Sequence, residues 1–318
     1  MPPSPKKIQL SQEDRGGLIA GIAAFATWGL IPIYWKLFIR IPASEILAHR
    51  FVWTTLFLIV LLTFQQRWLE VRDATRSRRA LLYCFASGIA ISVNWLVFIW
   101  AVNVGRVLET SLGYFMTPLI NVLFGATFLR ERLTRWQFLS VMLALVGVLN
   151  LTFGYGKFPG LAITLCVSFG LYGLLRKKSG VRPIPGLFLE TTLLTPIAAG
   201  YLVYLHQTGG SSTFGPAPWS MILLLVTTGV VTGLPLVWFG TAARHLRMTT
   251  VGFLQYLAPS CSFFLGVFLY HEPFTRAHLV TFTFIWVALV IFTVEAIWRW
   301  RSGREREEVA GPIAQSAH

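Results

Sequence analysis

The chain is a succession of long apolar runs separated by short polar stretches. A helix needs roughly 20 mostly apolar residues to cross about 30 Å of hydrocarbon. Ten segments of this chain meet that description: about 17–39, 46–64, 80–102, 110–129, 136–153, 159–175, 184–205, 219–239, 250–270 and 277–298. The second, fourth and sixth are the weakest, being short or interrupted by proline. Every connection is short, so no separate soluble domain fits between runs. The first run exceeds the apolar core of a signal peptide, about 7–15 residues, and no soluble domain follows it, so it is expected to remain as a span.

Composition strengthens this reading. Apolar residues make up 55% of the 318, and only 13% are charged, where a soluble domain carries about 25%. Aromatics reach 14%, including 12 Trp and 25 Phe, as expected where rings anchor at bilayer interfaces. The net charge of +14 would suit nucleic acid, but the basic residues sit in short loops between apolar runs rather than along a basic stripe. Cys84, Cys166 and Cys261 all fall inside apolar runs with no CxxC or Cys/His cluster, which leaves neither a disulfide framework nor a zinc site.

The loop charges orient the chain. The N-terminal tail, the stretches 67–79, 130–135, 176–182 and 244–247, and the C-terminal tail hold 21 of the 27 Lys and Arg. The opposite side holds four: Arg40, Arg106, Lys157 and Arg276. Lys36 and Arg50 lie within or at the edge of spans. Both termini are therefore expected in the cytoplasm of a bacterial cell, with the spans in its inner membrane.

The two halves resemble each other. At a constant offset of 141 residues Pro118 matches Pro259, Gly125 matches Gly266, Glu131 matches Glu272 and Thr134 matches Thr275. The same offset pairs Gly88 with Gly229 and Arg106 with Arg247. Near the start of each half Trp28-Gly29 matches Tyr172-Gly173 after a small slip, and Glu45 and Glu190 each open a second span. The expected organisation is a cytoplasmic tail (1–15), a first five-helix repeat (16–153), a second repeat (157–298) and a cytoplasmic tail (299–318). Five is odd, so the second copy enters from the opposite face. Such inverted repeats are common in secondary transporters. The fold class expected is an all-α integral membrane protein of ten transmembrane helices.

Several stretches are also similar to a known family. They are Glu45-Ile-Leu-Ala-His-Arg50, Asn94-Trp95, Phe98-Ile-Trp-Ala-Val-Asn103 and Glu109-Thr-Ser-Leu-Gly-Tyr-Phe115 before Pro118-Leu119. Ser168-Phe-Gly-Leu-Tyr-Gly-Leu174, Gly252-Phe-Leu-Gln-Tyr256 and Phe284-Ile-Trp-Val-Ala-Leu289 complete them. Together they resemble the RarD branch of the EamA-type drug/metabolite transporters over nearly the whole chain. The resemblance implies ten spans, a central cavity between the halves, and export of metabolites or drugs. Met116-Thr117 departs from the family pattern, which more often has Asn beside this proline.

Candidate site residues follow from polar groups placed inside the bilayer, where each needs a reason. Lys36 follows the Trp28-Gly29-x2-Pro32 break and suits an anionic substrate group, or it snorkels to the outer interface. Glu45 and His49 share a helical face at the start of the second span with Arg50 beside it, as a proton relay or as a structural ion-pair cluster. Asn94, Trp95 and Asn103 lie on the third span, where an amide contacts substrate or joins helices. Glu109 opens the fourth span, where a carboxylate favours the positive helix end. Tyr114 before Pro118, and Gln255 with Tyr256 before Pro259, occupy corresponding places, and proline-broken helices at symmetric positions are the best pointer to a transporter site. Trp28 and Tyr172 form a second corresponding pair, suited to a flat substrate or to ordinary aromatic packing. Glu131 and Glu272 read as loop bridges to nearby arginines. Gly17-x3-Gly21 permits close helix contact within the bundle or in a homodimer.

The leading function is secondary transport of a small organic metabolite or drug by alternating access, directed outward, in contact with membrane lipid. There is no GxxxxGK[ST], so no nucleotide is expected to drive it, and no cofactor, catalytic residue or metal ligand set is expected. Translocation of a lipid or amphiphile is the alternative. An intramembrane enzyme would need HExxH, GxSxG or an Asp pair, none of which lies in the spans.

Overall fold

A computed structural model describes residues 12–38, 41–103, 106–155, 158–210, 213, 218–269 and 276–310. The apolar runs become helices: α1 (Gln12–Trp35), α2 (Ala43–Phe64), α3 (Trp68–Arg76), α4 (Arg78–Asn103), α5 (Val107–Phe128), α6 (Arg135–Tyr155) and α7 (Gly160–Ser179). The remainder are α8 (Pro183–Gln207), α9 (Trp219–His245), α10 (Met248–Gln255), α11 (Leu257–Phe264) and α12 (Arg276–Ala310). Among the described residues seven helices are long and apolar enough to cross a membrane, and two shorter apolar stretches, Leu112–Phe128 and Arg135–Asn150, accompany them. Large apolar side chains such as Ile19, Leu82, Leu96, Leu223 and Val290 cover the outside. In a soluble protein that surface would aggregate; against acyl chains it is the solvated one. The chain is a multi-pass membrane protein.

Two elements depart from the sequence pattern. Between the second and third apolar runs lies the short helix α3, held at the surface by Arg67, whose guanidinium bonds Glu70 at 2.7 Å. The ninth run is not one helix. It breaks at Tyr256 between α10 and α11 and ends in a π-helical turn, Leu265–Leu269. Its expected counterpart α5 runs unbroken through Pro118. A proline removes one backbone donor and leaves the carbonyl four residues earlier without its partner. In α5 that carbonyl is Tyr114's, and the Thr117 hydroxyl bonds the carbonyl before it, that of Gly113, at 2.8 Å. The first apolar run also tightens, from α1 into a 3₁₀ turn at Lys36–Phe38, four residues after Pro32.

Packing runs chiefly between the halves of the chain. Helix α1 lies against α9 and α11, while α7 lies against α4 and α5. Helix α2 lies against α8 and α9, α8 against α2 and α4, α5 against α10, and α6 against α12. With no water to expel between helices in lipid, close contact of small residues drives this association. A Cβ on Gly229 would come within 2.4 Å of the Trp53 carbonyl oxygen, and one on Gly88 within 3.4 Å of the Glu190 carbonyl oxygen. These glycines admit α2 and α8 respectively. Gly17 and Gly21 are also used inside the chain: their added Cβ atoms would meet His245 Cβ at 3.0 Å and Leu254 Cδ1 at 2.9 Å. Cys84 and Cys166 are buried and unpaired.

Candidate functional site

Two polar constellations lie within the first half of α2. Glu45 is fully buried at the head of the helix, and His49 follows one turn later. Thr213, from the connection between α8 and α9, sits between them. Its backbone N–H donates to Glu45 Oε1 at 3.1 Å, and its hydroxyl donates to the same oxygen. His49 Nε2 lies 3.0 Å from the Thr213 hydroxyl oxygen, and the Trp53 indole N–H donates to His49 Nδ1 at 3.2 Å. An indole nitrogen only donates, so Nδ1 accepts and the ring proton is on Nε2. The bonds therefore run in one direction, from Trp53 through His49 and Thr213 to Glu45. Protonating Nδ1 would set two N–H groups against each other and break the first link.

Arg50 turns away from this chain. It lies seven residues into α2, about 10 Å along the helix, and is only 8% exposed. Its Nε donates to the Thr232 hydroxyl on α9 at 3.1 Å. Its guanidinium carbon stands 4.0 Å from the centre of the Trp95 ring on α4 and 4.9 Å from that of Trp35 on α1. The Tyr34 and Tyr114 hydroxyls are its electrostatic neighbours. Among the described residues no carboxylate lies within ion-pair distance of Arg50. The three groups at the head of α2 are thus one hydrogen-bonded pair bridged by threonine and one separate cation, not an Arg50–Glu45 ion-pair cluster.

Tyr114 on α5 is 36% exposed and lies within electrostatic reach of the buried Arg50. Its ring meets Phe98 at 5.6 Å. The hydroxyl of Tyr34 bonds the Leu224 carbonyl at 3.0 Å and Thr227 at 2.9 Å, which orients the adjacent Trp35. Thus α1, α2, α4, α5 and α9 all send a group to one place.

Other candidates are used between helices. The Asn94 amide donates to the Leu165 carbonyl at 2.9 Å and to Ser168 at 3.1 Å, tying α4 to α7. Gln255 accepts from the Asn121 amide at 2.7 Å, tying α10 to α5. Tyr256 is 1% exposed at the break in the ninth run, with its hydroxyl sealed from solvent. Trp28 and the fully buried Tyr172 meet the same ring: Phe239 lies 5.7 Å from Trp28 and stacks on Tyr172 at 5.6 Å. The side chains of Lys36, Asn103 and Glu109, and all of Glu272, lie outside the described residues. Glu131 does more than bridge a loop. It accepts from the backbone N–H groups of Met248 at 2.7 Å and Thr249 at 3.0 Å, capping α10 from the other half of the chain. Arg247 is 3.8 Å away.

A second buried arginine was absent from the sequence reading, which counts Arg176 among loop charges. It is 4% exposed and pairs with buried Glu190 at 3.2 Å, while Nη2 donates to the Pro183 carbonyl at 3.0 Å. Ser87 donates to the same Glu190 oxygen at 2.6 Å. Two glycines make the recess: a Cβ on Gly186 would stand 1.9 Å from Arg176 Nη1, and one on Gly240 2.9 Å from Nη2. The acidic partner at the matching position of the second half was the available signal.

Comparison with known proteins identifies what this arrangement belongs to. The model of the EamA-like transporter family matches residues 15–153. Protein RarD of Escherichia coli (strain K12) is 42% identical over 293 residues, covering 92% of this chain and 98% of that one. An uncharacterized transporter of Bacillus subtilis, YojE, is also 42% identical, covering 91% and 97%. The chain belongs to the EamA-like transporter family. Within it, the RarD-type relatives span nearly the full length. The chloramphenicol-sensitive protein RarD of Pseudomonas aeruginosa is 31% identical, covering 86% of this chain. A solved crystal structure superimposes with a TM-score of 0.69 at 18% identity, covering 89% of this chain and 98% of the other, which shows a shared fold. As an EamA-type protein of the bacterial inner membrane, the chain is a transporter and not an enzyme.

Proposed function

We propose that the chain is a secondary transporter of small organic metabolites or drugs, moving them outward across the inner membrane by alternating access between two inverted five-helix repeats. The observation that carries this is the exchange in helix packing. Numbering the spans within each half, the first span of one half lies against the third and fourth of the other, in both directions. The second, fourth and fifth spans each lie against their own counterparts. Two similar units that grip each other this way have two arrangements related by swapping their conformations, and each arrangement opens the interior to a different face.

The loops support ten crossings with both termini in the cytoplasm. Arg182 bonds Glu70 at 2.6 Å and Arg247 donates to the Arg132 carbonyl at 2.7 Å, so contacts join stretches assigned to the same charged face. Buried Arg176 no longer counts as a loop charge, which leaves the imbalance nearly as large. The outward direction rests on the family resemblance. The site is the interior-facing ground between Arg50, Trp95, Trp35 and Tyr114. The directed His49–Thr213–Glu45 chain is suited to couple a proton, because a proton added at Nδ1 must break the bond to Trp53.

The test is flux into proteoliposomes across a panel of amino acids, aromatic metabolites and neutral drugs, with and without an imposed pH gradient. Saturable flux that accumulates solute under the gradient is expected, with Tyr114→Ala slowing it at unchanged membrane abundance. Absence of saturable flux for the whole panel overturns the reading. Saturable flux indifferent to the gradient keeps the carrier and removes the proton.

A further inference from the structure

We infer that Arg50 selects the substrate: the transported molecules are small organic anions, whose acidic group seats on the open edge of this guanidinium while an apolar or aromatic body lies against Trp95 and Tyr114.

The argument begins with what Arg50 lacks. A guanidinium presents five N–H donors. Of these, only Nε is engaged, by Thr232. The terminal nitrogens make no hydrogen bond with a described residue, yet they are not among the side-chain atoms sealed from solvent without a partner, which are Asn121 Oδ1, Tyr172 Oη, Arg176 Nε, Glu190 Oε2 and Tyr256 Oη. The free donors therefore keep accessible surface although the residue as a whole is buried. The faces of the guanidinium plane are treated differently from its edge. Trp95 lies at 4.0 Å and Trp35 at 4.9 Å, and aromatic faces stabilise a cation without neutralising it. The edge, which is the part that forms paired hydrogen bonds with a carboxylate or phosphonate, is left for something else.

The surroundings add the second half of the recognition. Trp95 is held by Phe51 at 5.5 Å, and Tyr34 packs on Trp35 at 5.1 Å, so the rings are fixed before a ligand arrives. Tyr114 offers its exposed edge from α5, within electrostatic reach of Arg50. The feature also breaks the internal repeat. Arg50 stands five residues after Glu45, whereas the residue five after Glu190 is Thr195, which bonds Thr55 at 2.7 Å. Arg50 therefore has no charged counterpart at the matching place of the second half, which suits a substrate that has a charged end and an uncharged one.

The inference takes its substrate role from the transport reading above, and the two fail separately. The full chain in nanodiscs of phosphatidylcholine is titrated with benzoate, phenylphosphonate, benzyl alcohol and benzylamine, with Trp fluorescence and heat as readouts. The wild type is expected to bind at least one of the two anions about tenfold or more tighter than benzyl alcohol, with benzylamine weakest. Arg50→Gln is expected to abolish that preference, and Arg50→Lys to keep it at lower affinity. Equal binding of the anions and benzyl alcohol by the wild type, or a preference that survives Arg50→Gln, overturns the inference. Should Arg50→Gln not fold, the order of affinities in the wild type and in Arg50→Lys decides. Loss of anion binding when phosphatidylglycerol is added to the nanodiscs would assign the site to a lipid headgroup and overturn the small-solute assignment. Saturable flux of neutral solutes without anion preference would leave the transporter standing and remove Arg50 from selection. Anion preference without flux of any solute would do the reverse.

Discussion

Among the described residues two arginines are buried, and they are treated in opposite ways. Arg176 is enclosed by α7, α8 and α9 with a carboxylate at 3.2 Å, a backbone carbonyl at 3.0 Å and a recess that Gly186 and Gly240 leave open for it. Arg50 is enclosed almost as fully, but by two indole faces and one hydroxyl, with no carboxylate among the described residues. An arginine inside a membrane costs about 2.5–3.5 kcal/mol on insertion scales. Arg176 offsets that cost within the protein and so fastens helices. Arg50 offsets it only in part, since a cation on an aromatic face gains about 0.5–2 kcal/mol, and its positive charge stays available. A buried charge that the fold neutralises serves the fold. One left positive with open donors serves a ligand.

The largest effect should come from breaking the first of these. Glu190→Ala strands Arg176 in a buried recess, and removing one partner of such a pair costs about 3–5 kcal/mol. A steep fall in membrane abundance and in the thermal midpoint of the detergent-solubilised protein is expected. An unchanged midpoint would mean the pair is not structural, and the contrast would collapse. Gly186→Ala should follow, at about 1–3 kcal/mol in the same assay, because the new methyl overlaps Nη1 and the guanidinium must leave its seat.

Glu131→Ala sharpens the comparison from outside it. It removes the cap that one half of the chain places on α10 in the other, and a cap is worth about 1 kcal/mol. The thermal midpoint should drop modestly, with faster amide exchange confined to the first turn of α10. Arg50→Gln should change stability less than any of these, within about 1 kcal/mol in either direction, because no partner is left stranded. A loss as large as that of Glu190→Ala would make Arg50 structural.

The smallest effect belongs to a third, surface arginine. Arg182, at the start of α8, and Arg67 both reach Glu70 on α3. The hydrogen bond from Arg67 holds the Glu70 carboxyl below its ordinary range, with the nearby Arg182 charge adding to it. A lowered carboxyl contributes stability above its ordinary value of about 4.3, and that contribution disappears as pH falls through its lower folded value. Glu70→Gln should remove this acid-side slope and cost less than about 1 kcal/mol at neutral pH, as exposed pairs do.

Much of this was legible along the chain. The apolar runs predicted the helices, with boundaries off by a few residues, because transfer into lipid depends on composition over a window of about 20 residues. Helix α3 escaped because nine residues, Trp68–Arg76, fall well below such a window. A proline break was expected in both halves, but it occurs only in the ninth run, at Tyr256, while α5 runs unbroken through Pro118. At the site, Glu45, His49, Arg50, Trp95 and Tyr114 stood out as polar or amphipathic groups in apolar surroundings. Their partners Thr213, Thr232 and Trp35 did not, since threonine and tryptophan are unremarkable in a membrane helix or loop.

By itself, the sequence determined that the chain lives in a membrane as apolar helices, that its halves are alike, and which family it resembles. The first two follow from local composition and from recurrence at fixed spacing, the third from shared stretches such as Glu45-Ile-Leu-Ala-His-Arg50, and all three survive without knowledge of contacts. Only the tertiary structure decided which charges are neutralised. Arg176 looked like a loop cation until Gly186 and Gly240 made it a recess, and Arg50 looked like a partner for Glu45 until Thr213 took that carboxylate. Thr213 is 168 residues from Glu45 and Thr232 is 182 residues from Arg50. Pairing in a helical bundle is set by which faces meet, and no periodicity within one helix records the face of another.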